Sequence, residues 1–252
     1  MELIIDTDKY KSEFDLLEEK KDVLSKRAII DKGLLNNSKK WYELQQIKLD
    51  FPFKSKYIVY PDISSTVNFS FAQNVLIDMT CFGIPSSSNS LLGILNSKLI
   101  ESYLNTKCVK ARGGYLRLKS QYILNIPIPK EFESEPLSEV VEYILQLNIK
   151  LSEIEADFLN LITTKCGAKK ISKTLQNWSS SSQSEFLIEL KKNNIVNSLL
   201  EESDWLKHFN EQKSLIDNLK IQIEKTESEI DKIVYGLYNL TDEEIKIVEE
   251  TL

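Results

Sequence analysis

The sequence predicts an α+β fold: a compact mixed α/β domain over residues 1–130, then a long helical region, an antiparallel coiled coil, over residues 131–252. Three observations predict it. Short β-branched and aromatic runs crowd the first half, at Tyr57-Ile58-Val59-Tyr60, Asn74-Val75-Leu76-Ile77 and Thr80-Cys81-Phe82-Gly83-Ile84. Ile126-Pro127-Ile128-Pro129 closes that half, because two prolines two residues apart exclude a helix interior and a central strand. Beyond it, Ile216, Leu219, Ile223, Thr226, Ile230, Ile233 and Leu237 alternate intervals of three and four, a heptad seam.

In chain order, residues 6–27 read as an amphipathic helix, with Tyr10, Phe14, Leu17, Val23 and Leu24 near helical spacing. Residues 33–40 read as a polar loop. Pro61, Asp62, Asn68 and Asp78 stand between or beside the strand runs as turn residues. Ser86–Ser90 is a loop that ends in a helix cap, and the helix it starts runs from Leu91 to about Leu104. Residues 105–119 are a polar, basic loop with a Gly113-Gly114 pair that leads into a strand. Residues 136–165 form one long helix, and residues 169–200 form shorter helices around a soft spot at Ser179–Ser182. The last long helix runs from about Asp204 to Tyr238. Asn239 can end it, and Thr241-Asp242-Glu243-Glu244 is a capping box for a final short helix. The seam needs a partner helix. Residues 136–165 in antiparallel are the simplest one, and a second copy of the chain, giving a homodimer, is the other.

Hydrophobic content of 42% and charged content of 28% are ordinary for a globular protein. No apolar run approaches the roughly 18 residues of a membrane span. The N-terminus lacks the basic and apolar regions of a secretory signal. Three widely spaced cysteines, Cys81, Cys108 and Cys166, fit free thiols in a reducing cytoplasm. The net charge of -6 argues at first against nucleic acid. Its distribution does not. Residues 201–252 carry 14 acids and 6 bases, while 103–129 carry five bases (Lys107, Lys110, Arg112, Arg117, Lys119) and no acid. A phosphate backbone needs only a local basic surface.

No constellation for catalysis stands out. There is no glycine-rich phosphate loop, no CxxC and no histidine pair at metal spacing, so neither a catalytic residue nor a metal site is predicted. His208, the single histidine, reads as a helix-surface or packing residue beside Trp205. Cys81 and Cys108 read as small buried hydrophobes. Asp15, Glu19 and Lys21 mimic the order of a metal-dependent nuclease, but they lie in a helix full of Glu and Lys.

The segment from Val109 to Tyr122 is different. Arginine and lysine there can reach phosphates or a guanine edge. Gly113 and Gly114 permit a close backbone approach. From Tyr115 onward the residues alternate, with Tyr115, Arg117 and Lys119 on one face and Leu116 and Leu118 on the other. A DNA-facing strand and a solvated edge strand guarded by cations both satisfy that pattern.

Six stretches, taken in order, resemble the C-terminal target recognition (specificity) domain of TaqI-like DNA adenine methyltransferases and type IIG restriction-modification enzymes. They are the helix that ends Leu24-Ser25-Lys26-Arg27; Trp41-Tyr42-Glu43-Leu44; Lys56-Tyr57-Ile58-Val59-Tyr60-Pro61-Asp62-Ile63; Leu91-Leu92-Gly93-Ile94-Leu95-Asn96-Ser97-Lys98; Arg112-Gly113-Gly114-Tyr115-Leu116-Arg117 running on to Pro129; and Glu229 to Ile245. The resemblance implies a non-catalytic, DNA-reading half whose methyltransferase domain lies elsewhere. That domain would carry the S-adenosylmethionine site and the NPPY-type motif; no cofactor is expected in this chain. Gln45-Gln46 stand where the family often has arginine.

The expected partners are double-stranded DNA and a methyltransferase or nuclease domain or subunit, with no membrane. The phosphate candidates are Lys54, Lys56, Lys110, Arg112, Arg117 and Lys119, with Gly113, Gly114 and Tyr115 shaping the loop. The base-edge candidates lie around Asn36, Asn37 and Lys39; Ser64, Ser65, Thr66 and Asn68; and Asn105 and Lys107. The alternative is a helical interaction subunit that docks a methyltransferase or nuclease partner through the seam.

Overall fold

The computed structural model describes residues 9–43, 51–167 and 171–252. They divide into two compact units that interleave along the chain. One holds residues up to Val59 together with Phe71–Pro85, and the other holds Tyr60–Ser70 together with Ser86–Leu252.

The first unit opens with α1 (Lys11–Glu18), α2 (Lys21–Ser25) and α3 (Ala28–Leu35). The single amphipathic helix expected over 6–27 is therefore two short helices over its described part. Arg27 stabilises the end of α2. Its Nε donates to the Leu24 carbonyl at 2.8 Å, and its Nη2 donates to the carbonyls of Trp41 and Glu43 at 3.0 and 2.9 Å. A side chain that bonds a carbonyl in a helix's last turn satisfies a group the helix end leaves without a partner, and here it also gathers the following loop. Phe14, Trp41 and Tyr42 pack in tilted and edge-to-face contacts beside it, with ring centroids 5.4–5.6 Å apart. The loop expected over 33–40 begins only after Leu35, and Asn37 takes a left-handed φ of 57° within it.

A three-stranded sheet has the order β3-β1-β4, with β1 at Tyr57–Pro61, β3 at Ser70–Ala72 and β4 at Cys81–Ile84. Two of the three predicted strands are there. The run Asn74–Ile77 is not a strand; Asn74 turns with φ 56°, and the third strand is β3 instead. Val75 and Leu76 are half exposed, so that run has no layer to bury its apolar side chains. Phe51, Phe53 and Tyr57 pack as a ring cluster, and the Tyr57 hydroxyl donates to the Val75 carbonyl at 2.7 Å.

The second unit contains β2 (Ile63–Ser64), α4 (Asn89–Leu95), α5 (Lys98–Lys107), β5 (Leu116–Arg117), α6 (Ser120–Ile123), α7 (Glu135–Cys166), α8 (Lys173–Gln176), α9 (Gln183–Lys192), α10 (Leu199–Leu237) and α11 (Asp242–Glu250). The helix expected over 91–104 is broken at Asn96-Ser97. The Ser97 hydroxyl accepts from the Ile100 amide and caps α5, which starts a new helix where propensity alone would continue the old one. Gly93 lets α4 lie against α7: a Cβ there would stand 2.6 Å from Val141 Cγ2.

α7 and α10 run antiparallel. Tyr143 Oη bonds Gln222 at 3.2 Å near one end, and Phe158 packs on Trp205 and His208 towards the other. The seam is thus matched within the chain. It follows the heptad through Ile216, Leu219, Thr226 and Ile230, then leaves it. Val234 and Tyr235 are buried, and the expected Ile233 and Leu237 are only half-buried. A straight helix turns in 3.6 residues, so its buried stripe drifts from a strict heptad, and here α4 and α5 also pack on α10. The far end is closed by an aromatic core of Phe158, Trp178, Phe186 and Phe209. The serines at 179 and 181 are no soft spot. Both are buried; Ser179 donates to Glu155 at 2.6 Å and Ser181 to the Thr174 carbonyl at 3.2 Å. Asn239, with φ 52°, ends the helical run, and Thr241 forms the expected capping box with Glu244.

Candidate nucleic-acid interface

The basic segment folds back on itself. The Ala111 amide donates to the Tyr115 carbonyl at 2.7 Å, the Arg117 amide to the Val109 carbonyl at 3.1 Å, and Lys110 bridges to Leu116. The tip, Arg112-Gly113-Gly114, turns through two left-handed residues, with φ 89° at Gly113 and 84° at Gly114. Side chains with a Cβ rarely adopt that conformation, which is the physical reason for the glycine pair. The hairpin then joins β2 through β5: Ile63 pairs with Arg117, Ser64 with Leu116, and the Leu118 amide donates to the Asp62 carbonyl at 2.8 Å.

The alternation predicted from Tyr115 onward is present. Leu116 and Leu118 are 2% and 0% exposed, while the side chains of Arg117 and Lys119 are 41% and 44% exposed and Tyr115 is 46% exposed. One face anchors the hairpin; the other meets solvent. The cations on it fall into two classes. Lys110 and Arg112 are exposed and make no ion pair among the described residues. Arg117 and Lys119 are both held by Asp62, with Arg117 Nη2 3.2 Å from Oδ2 and Lys119 Nζ 3.4 Å from each carboxylate oxygen. Burial pushes the Asp62 carboxyl up, but hydrogen bonds from Arg117 and Lys119 and their charges outweigh it, so the group lies below its usual value. Asp62 was absent from the sequence-predicted site. Its one signal was the Pro61-Asp62 pair at a strand end.

The second candidate segment lies beside this one. After β2, Ser65, Thr66 and Asn68 are exposed. The stretch is fixed from behind by Asn96, whose amide accepts from the Phe69 amide and donates to the Phe69 carbonyl, both at 2.9 Å. Glu101 accepts from the Val67 amide at 3.4 Å. Thr66 and Asn68 border a cavity of about 680 Å³ whose far walls are Val141 and Ile144 of α7 and Ile230 and Asp231 of α10. Asn105 and Lys107 are not in a loop as expected. They belong to the last turn of α5, where Asn105 is half-buried and Lys107 is exposed beside the Tyr103 ring.

The other candidates belong to the first unit. Lys54 is exposed, with no ion pair among the described residues. Lys56 is half-buried, and its ammonium sits 3.7 Å from the centre of the Phe71 ring, a contact that competes with phosphate. Asn36 is tied to Ser38, and Lys39 pairs with Glu43 at 3.3 Å. Gln45 and Gln46 lie outside the described residues.

A third junction, away from the hairpin, joins α5 to α10. Asp231 Oδ1 accepts from the Lys98 amide at 2.8 Å, and Lys98 Nζ stands 3.8 Å from Oδ2. A carboxylate at a helix N-terminus satisfies an amide that has no partner within the helix. Among the described residues no group of three or more His, Cys, Asp or Glu could hold a metal ion. No helix among them is long and apolar enough to cross a membrane. Cys108 and Cys166 are buried, Cys81 is half-buried, and none of the three is in a disulfide among the described residues.

None of the curated proteins compared matches the chain. Two family models do. Residues 130–234 match a domain of unknown function (DUF8810). Residues 10–128 match the TaqI-like C-terminal specificity domain.

Proposed function

We propose that this chain, whose residues 10–128 are a TaqI-like C-terminal specificity domain, recognises DNA for a methyltransferase system. The finer reading is a restriction-modification module that fixes the site and leaves the chemistry to a methyltransferase or nuclease partner, which would bind S-adenosylmethionine. One observation carries it: within the matched segment, a backbone-paired hairpin presents two exposed cations, Lys110 and Arg112, with no ion pair among the described residues, at a tip built from two left-handed glycines. A protruding cationic turn on an apolar anchor suits contact with a phosphate backbone or a groove. The exposed stretch Ser65–Asn68 lies next to it in the same unit and supplies short polar side chains for base edges. Residues 131–252 serve in this reading as the helical spacer of the module.

The test is equilibrium binding of a labelled duplex of mixed sequence across a range of salt. The wild type should bind with a steep salt dependence. Lys110→Ala with Arg112→Ala should weaken binding roughly tenfold and flatten the log–log salt slope by about two, since each lost phosphate contact removes about 0.9. Undiminished binding by that double variant would remove the hairpin from the interface. A wild type with no salt-sensitive binding would remove DNA recognition itself.

A further inference from the structure

We infer that Asp62 is a specificity-determining residue: it withholds Arg117 and Lys119 from sequence-independent contact with DNA phosphates. The inference rests on the DNA-recognition reading above. Its basis is the junction of β2 and β5. The Asp62 carboxylate is only 15% exposed and faces two cations whose own side chains are more than 40% exposed. Asp62 and Arg117 are fixed by backbone pairing, through Ile63 with Arg117 and the Leu118 amide on the Asp62 carbonyl, and the Lys119 amide donates to the Arg117 carbonyl. The two cations therefore sit on the solvent face of the hairpin with their charge already partly answered.

The geometry also shows that the pair is not locked. An arginine and a carboxylate can form two parallel hydrogen bonds. Here only Nη2 bonds Oδ2; Arg117 Nε and Asp62 Oδ1 are both buried and neither makes a hydrogen bond. Half of the fork is open. Non-specific affinity grows with every phosphate a free cation neutralises, whereas specificity is the excess of cognate over non-specific binding. A carboxylate that offsets one of the two charges and hydrogen-bonds both cations lowers the non-specific term and leaves Lys110 and Arg112, which make no ion pair among the described residues, to supply most of it.

The experiment compares the wild type, Asp62→Asn, Arg117→Gln with Lys119→Gln, and all three changes together, each on a duplex of about 20 base pairs with randomised sequence. Asp62→Asn should bind roughly tenfold more tightly at low salt and steepen the salt slope by one to two, at about 0.9 per phosphate. The triple variant should return to wild-type affinity, which assigns the gain to those two cations. Unchanged or weaker binding by a folded Asp62→Asn protein overturns the inference. So does a gain that survives in the triple variant. Should Asp62→Asn fail to fold by circular dichroism, the Arg117→Gln, Lys119→Gln protein decides. A change within threefold of wild type supports masking, and a larger loss overturns it. If the wild type and Asp62→Asn both show no salt-sensitive binding, DNA recognition fails and the inference with it. A binding wild type with an indifferent Asp62→Asn sinks the inference alone.

Discussion

Asp62 and Asp231 each face a lysine across two elements of the same unit, yet they do opposite things. Asp62 has two cations, one exposed rim and a carboxyl held below its usual value. Asp231 is 6% exposed, and burial pushes its carboxyl up against the lowering effect of the Lys98 amide and ammonium, with Glu249 and Glu101 raising it further. The number of donors decides the first case and desolvation decides the second. An aspartate beside a lysine therefore says little by itself. At the hairpin it is a counter-charge to two exposed cations. At α5 it is a cap that ties α5 to α10.

The anchor under the first junction should show the largest effect. Leu118→Ala removes a fully buried side chain beneath the hairpin and should cost about 2–5 kcal/mol in denaturant unfolding. A cost under 1 kcal/mol would mean that the hairpin is not held by its apolar face. Next comes the second junction. Asp231→Ala strands the Lys98 amide and should cost about 1–3 kcal/mol, whereas Asp231→Asn keeps an acceptor and should be neutral or stabilising at neutral pH. Equal losses from both would show that the charge, not the acceptor, matters there. Gly93→Ala should cost about 1–3 kcal/mol through the clash with Val141, with DNA affinity per folded molecule retained.

The pH dependence should separate the two aspartates by sign. The folded-state value of Asp62 is lowered from 3.8, so its contribution is present above that value and is lost as pH falls through the folded one. The folded-state value of Asp231 is raised from 3.8, so its contribution is present below 3.8 and is lost as pH rises through the folded one. Unfolding free energies across the acid range should therefore lose part of their acid-side fall in Asp62→Asn and part of their opposite drift in Asp231→Asn. The same slope change in both variants would contradict the assignment. The smallest stability effect belongs to Lys110→Ala with Arg112→Ala, within about 0.5 kcal/mol by thermal unfolding, since neither side chain has a partner among the described residues.

The order of six short stretches resembled one family, and the structure gives that order a physical meaning. The first is bonded to the second by Arg27 on the carbonyls of Trp41 and Glu43. The third meets the fifth through Asp62 with Arg117 and Lys119. The fourth meets the last through Lys98 with Asp231. Each stretch is weak alone because each is half of a contact. The cations and glycines are legible in the sequence because their chemistry is local. Asp62, Asn96 and Asp231 are not, because they act on residues 55, 27 and 133 positions away.

The amino-acid sequence alone was enough for the α+β class, the long helices, the capping box at Thr241, the alternation beneath the hairpin and the conformational freedom of the glycine pair at its tip. All of these follow from neighbours within a few residues, through period, capping and backbone sterics. Which hairpin cations stay unpaired among the described residues, where the heptad seam of α10 gives way, and which run becomes the third strand were settled only by tertiary packing. Those outcomes depend on what lies across the contact, and burial and ion pairing join residues that sequence distance keeps apart.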